Sequence, residues 1–138
     1  MAQTQTWTDT GIAELILRLR EELSTGMESI VCLEKATTCT AVVGSTFAAP
    51  ADTSPHHTTS GLAIQAIDTV GGATVNTAGD TITFDHVFTA TATKNVNGIH
   101  VCNNDDDVTF IECCFNAVLA MENTDTLTID GQSTVDQA

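Results

Sequence analysis

The chain has no tyrosine, one tryptophan, two prolines and only four lysines and arginines in 138 residues. Each scarcity removes a class of function. Four basic residues against eighteen acidic ones leave a formal net charge of −14. That field repels phosphate and provides almost no cation to release counterions from a nucleic acid. It also opposes an anionic membrane surface. No run of about 18 apolar residues is present, so no helical membrane span is expected. The start, Met1-Ala2-Gln3-Thr4, has neither a basic stretch nor an apolar core of the secretory type, and Glu14 and Arg18 break the first apolar run. Secretion by a leader is therefore not expected. Absent too are a GxSxG elbow, an HExxH helix and a phosphate-cradling glycine loop. With no nucleophile beside a base, the chain reads as non-enzymatic and without a cofactor.

What is present is enough to fold. At 42% hydrophobic and 16% charged residues, burial can offset the entropy of ordering the chain. A single domain over 1–138 is the expectation. The five cysteines, Cys32, Cys39, Cys102, Cys113 and Cys114, form an odd set without repeated CxxC spacing. That pattern argues against a disulfide framework and for folding in a reducing cytoplasm. Self-repulsion at −14 shrinks in molar salt, where the Debye length is about 3 Å. A saline habitat would suit this composition, and the scarcity of Lys and Arg beside many Thr, Asp and Ala fits a halophilic source.

Residues 8–24 have helical periodicity: Ile12, Leu15, Ile16, Leu19 and Leu23 share one face. Thr8 suits the N-cap, Trp7 can staple onto Ile12, and Gly26 follows where a left-handed C-cap is wanted. From residue 29 to 130 the period is two. Strands are expected at 29–34, 40–47, 61–68, 80–93, 99–102, 108–121 and 125–130, with turns at Gly71-Gly72, Asn97-Gly98 and Asp130-Gly131. In 80–93, Ile82, Phe84, His86 and Phe88 alternate with Thr83, Asp85, Val87 and Thr89. Residues 48–60, holding both prolines, read as a long exposed loop. The expected fold is mainly β, an antiparallel β-sandwich of about seven strands with one N-terminal amphipathic helix.

Three clusters invite a metal reading. His56 and His57 lie near Asp52, but adjacent histidines in extended chain point apart, so an ordinary loop is the simpler account. Asn103-Asn104-Asp105-Asp106-Asp107 offers hard oxygens without the ligand spacing of an EF-hand, as a solvated hairpin tip would; Asp105, Asp106 and Asp107 are its weak metal candidates. Cys32, Cys39, His100, Cys102, Cys113 and Cys114 are chemically a zinc inventory, yet free cysteine usually packs as a small hydrophobe. His86, among Ile82, Phe84 and Phe88, reads as a core or rim residue. No metal is assigned.

The second half, about 61–130, resembles small virion structural proteins of tailed bacteriophages and archaeal tailed viruses. The resemblance rests on a long threonine-rich strand (Asp80 to Ala90), an Asn-Gly turn followed by an apolar strand, an apolar strand ending in Phe115-Asn116, and Asp125-Thr126-Leu127-Thr128-Ile129. In that family the last strand commonly continues, whereas here it is expected to stop at Asp130-Gly131. The resemblance implies a part in a virion, with no catalytic residues to carry over. Expected is a homo-oligomeric capsid decoration, cement or turret subunit assembled in the host cytoplasm, with a tail, neck or baseplate subunit and then a cell-surface binding module as alternatives. Partners would be copies of itself and major capsid or tail proteins, with no nucleic acid and no membrane. The interface candidates are Trp7, Ile12, Leu15, Ile16, Leu19 and Leu23.

Overall fold

A computed structural model describes residues 27–41, 46–50, 54–72, 80–103 and 109–135. Residues 8–24, and with them the expected helix, lie outside it, as do Asp105, Asp106 and Asp107. Among the described residues there is no helix, and seven strands follow one another: β1 (Ser29–Leu33), β2 (Gln65–Ala66), β3 (Thr69–Gly72), β4 (Asp80–Thr89), β5 (Lys94–Cys102), β6 (Thr109–Met121) and β7 (Thr126–Val135). They form two antiparallel sheets, of order β2-β1-β5-β6 and β3-β4-β7.

The sheets face each other across one apolar core. Ile30 and Cys32 of β1 and Ile99 and Val101 of β5 meet Ile82, Phe84 and Phe88 of β4 and Ile129 of β7, with Met27, Leu62 and Met121 completing the cluster. β4 shows why: its even residues Ile82, Phe84, His86 and Phe88 are buried, while Thr83, Asp85, Val87 and Thr89 are exposed, the alternation of a strand with one wet face. Phe88, at 0% exposure, anchors the centre. His86 is buried in this layer, edge-on to the Phe88 ring.

Several expected boundaries move. Asn97-Gly98 is not a hairpin turn but the middle of β5, where both residues are buried. The reason lies in packing. Asn97 Nδ2 donates to Thr37 O and Ser54 Oγ, both at 2.9 Å. A Cβ on Gly98 would stand 2.5 Å from the Cys113 carbonyl oxygen, so glycine serves close strand approach. Gly71-Gly72 ends inside β3, and Asp130-Gly131 is the middle of β7, which continues to Val135. The last strand therefore does not stop where the sequence suggested. Of the strand expected over 40–47, the described part is irregular, with an isolated bridge between Thr46 and Ala49. The strand expected over 61–68 is the two-residue β2.

The 48–60 loop is not simply exposed. Ser54 and His57 are buried, at 0% and 2% exposure, and His56 bridges to Leu33. The loop lies over the outer face of the four-stranded sheet, which presents Val31, Leu33 and His100 away from the core. A disulfide, Cys39–Cys114, ties the chain before this loop to β6. This overturns the expectation of cysteines without a disulfide. Their separation of 75 residues leaves no local spacing signal.

Candidate assembly interface

β6 is the unusual element. It is 13 residues long and strongly apolar, yet only Met121 is buried. β6 and β7 are each the last strand of their sheets among the described residues, so each presents an edge of unpaired backbone groups. They are joined through Glu122 to Asp125, where Asp125 Oδ2 accepts the Glu122 amide hydrogen at 2.8 Å. The edges therefore run along the same side of the sandwich.

Between them opens a cavity of about 420 Å³ lined by Phe84, Ile99, Ile111, Cys113, Phe115 and Ile129, with Asp130 among the polar residues beside them. Phe110, Ile111 and Phe115 are only partly buried, while Cys113, Ala117 and Leu119 are exposed, Leu119 to 38%. The only charged residue in β6 is Glu112. Its side chain is 5% exposed and turned to the opposite face. A chain of net charge −14 thus carries a long edge strand with no exposed charge. Natural edges are usually blunted by charge, proline or bulges. Here the devices are two register shifts: Val96 pairs with Leu119 and Gly98 with Cys114, leaving residues 115–118 opposite Asn97 alone, and Val101 pairs with Ile111 and Cys102 with Thr109, passing over Phe110.

Behind β6, on the outer face, sits a buried polar chain. His100, 0% exposed, gives its Nε2–H to Glu112 Oε1 at 2.6 Å, and its Nδ1 lies 2.9 Å from His56 Nε2. A single N–H between His100 Nδ1 and His56 Nε2 joins the two rings. The Phe47 ring stacks on His56 at 4.3 Å. Burial, then the neighbouring His100, lowers the His56 pKa to about 4 against a smaller opposing pull from Glu112. His57 instead donates from Nε2 to the Asn95 carbonyl at 2.7 Å and lies 3.5 Å from Glu34, which also meets Lys94 at 3.0 Å. Burial lowers its pKa as well, against the Asn95 bond and Glu34.

The two adjacent histidines thus turn to different partners. Among the described residues no group of three or more His, Cys, Asp or Glu side chains is placed to hold a metal ion. The cysteines divide: Cys32 and Cys102 are buried and outside any disulfide, Cys39 and Cys114 are bonded to each other, and Cys113 is exposed at the groove. Burial pushes the Cys32 thiol up to about 12, so it stays protonated. His100–Glu112 pairs across β5 and β6, and only the strand register, hidden by the misread Asn-Gly pair, would have joined the two.

This polar chain ties β6 to β5 and to the loop at His56. His100 and Glu112 are sealed from solvent, and the disulfide holds Cys114 two residues further along the same face. The strand is clamped from behind and open in front. Among the described residues no helix is long and apolar enough to cross a membrane. No protein-family model, curated protein or solved structure matches the chain.

Proposed function

We propose that this chain is a non-enzymatic structural subunit of a tailed-virus particle, a decoration, cement or turret protein of the head. The observation that carries the assembly part is the rigid, charge-free, apolar edge of β6 beside the open groove. Surface of this kind on an acidic protein is spent on a protein neighbour. A nucleic acid would need cations that the chain lacks. The virion part is supported by the resemblance of the 61–130 half, in which β7 also continues to Val135, and the head position by the acidic composition and short length.

Quantitative peptide mass spectrometry on density-purified particles from the source culture tests this reading. Abundance near that of the major shell protein is expected. A low copy number would move the chain to the neck, tail or baseplate, and absence from particles would overturn the proposal.

A further inference from the structure

The groove between β6 and β7 needs an occupant, and the chemistry of this chain points to one. Met27, just before β1, is 1% exposed and packed in the core, so the point at which the preceding segment joins the domain is fixed. Strand pairing puts Ser29, Cys102 and Thr109 in one row across β1, β5 and β6. Two strand spacings place that exit on the order of 10 Å from the Thr109 end of the groove. The preceding segment carries the stripe Ile12, Leu15, Ile16, Leu19 and Leu23. On a helix the stripe from Ile12 to Leu23 would span roughly 17 Å, close to the roughly 13 Å that Ile111 to Phe115 span in a strand.

Charge helps at one point only, because residues 8–24 carry Asp9, Glu14, Glu21 and Glu22 against Arg18 and Arg20 and are themselves net acidic. Both arginines of the chain, Arg18 and Arg20, fall in this segment, and the only lysines are Lys35 and Lys94. On a helix Arg20 flanks the apolar stripe. The groove bears the exposed carboxylate of Asp130.

We infer that residues 8–24 of a second copy seat their apolar stripe in the groove between β6 and β7, with Arg20 toward Asp130. The inference rests on the assembly reading and names its partner as another copy of this chain. A segment folded back into its own groove would cover the surface that assembly needs, whereas the same contact made with a neighbour joins copies. Segment and groove are different surfaces, so the contact is heterologous and propagates into a ring or an array.

Cross-linking in the full chain tests this. Cys113 already supplies an exposed thiol in the groove, and Leu19→Cys adds one in the stripe. Isotopically light and heavy populations of this variant are unfolded without reductant, co-refolded, and treated with a short bis-maleimide. The expected product is a peptide pair joining positions 19 and 113, with mixed-isotope pairs in statistical proportion, lost when Cys113→Ser is added. Same-isotope pairs alone would overturn the inference, because each segment would then fill its own groove. So would a lack of cross-link while sedimentation still shows association, since another contact would then join the copies. If copies do not associate at all, the assembly reading itself fails. The full-length Leu15→Asp variant checks that the stripe drives the contact: association should be lost while the β-sheet circular dichroism is kept. Association unchanged in that variant would also overturn the inference.

Discussion

At the scale of single residues, the groove wall depends on one glycine. A Cβ on Gly131 would stand 2.2 Å from Phe84 Cζ, inside the ring that crosses from the paired β4 position. Gly131→Ala should therefore displace Phe84 and cost about 1–3 kcal/mol, read as a lower urea midpoint. An unchanged midpoint would mean that the ring moves freely. His56 supports a second prediction. Its folded pKa, about 4, lies below the ordinary value of 6.5, so between those pH values the unfolded chain binds the proton and the folded chain does not. Stability is present in full above about pH 6.5, falls as pH drops toward 4, and loses nothing more from this group below that. Screening at a half-buried ring limits the loss to on the order of 1 kcal/mol. His56→Gln keeps a hydrogen-bonding partner for His100 without titrating, and denaturation at pH 7 and pH 4.5 should show a shallower pH dependence in the variant.

At the scale of elements, β6 is held on one face by the Cys39–Cys114 disulfide and the Glu112–His100–His56 chain, and open on the other. Closing a loop of 75 residues, the disulfide should contribute about 2–4 kcal/mol. Thermal unfolding of the Cys39→Ala/Cys114→Ala variant should start at clearly lower temperature than wild type, and added reductant should shift wild type alone. A charge on the open face should act differently. Ala117→Lys, at an exposed position in the bulge, should abolish association in sedimentation while leaving the urea midpoint within about 0.5 kcal/mol of wild type. These elements were unequally legible in the sequence. β4 could be read residue by residue because one face is wet, so Thr83, Asp85 and Val87 alternate with Ile82, Phe84 and His86. β5 and β7 were cut at Asn97-Gly98 and Asp130-Gly131 because turn chemistry and close packing select the same residues: Asn97 is held by Thr37 and Ser54, and Gly131 lies under Phe84. The groove's apolar residues were visible as a run, but that β6 is an edge follows from strand order alone. The disulfide and the His100–Glu112 pair depend on contacts that no local pattern records.

At the scale of the whole molecule, the net charge of −14 and the neutral edge act against each other. Bringing acidic copies together concentrates like charge, while the groove offers a charge-poor path for contact. Repulsion reaches roughly 10 Å at 0.1 M salt and about 3 Å at 1 M, whereas apolar burial at the groove is not weakened by sodium chloride. Raising sodium chloride from 0.1 M to 1 M should therefore strengthen association in sedimentation and raise the unfolding temperature, by roughly 3–6 °C for each kcal/mol of repulsion removed. Ala117→Lys separates the two effects. Its unfolding temperature should still rise with salt, since the global charge is nearly unchanged, but salt should not restore association, because a desolvated ammonium at the edge is not a long-range term. If salt instead weakened wild-type association, ion pairs rather than the apolar groove would hold the copies together, and the part assigned to β6 would have to be given up.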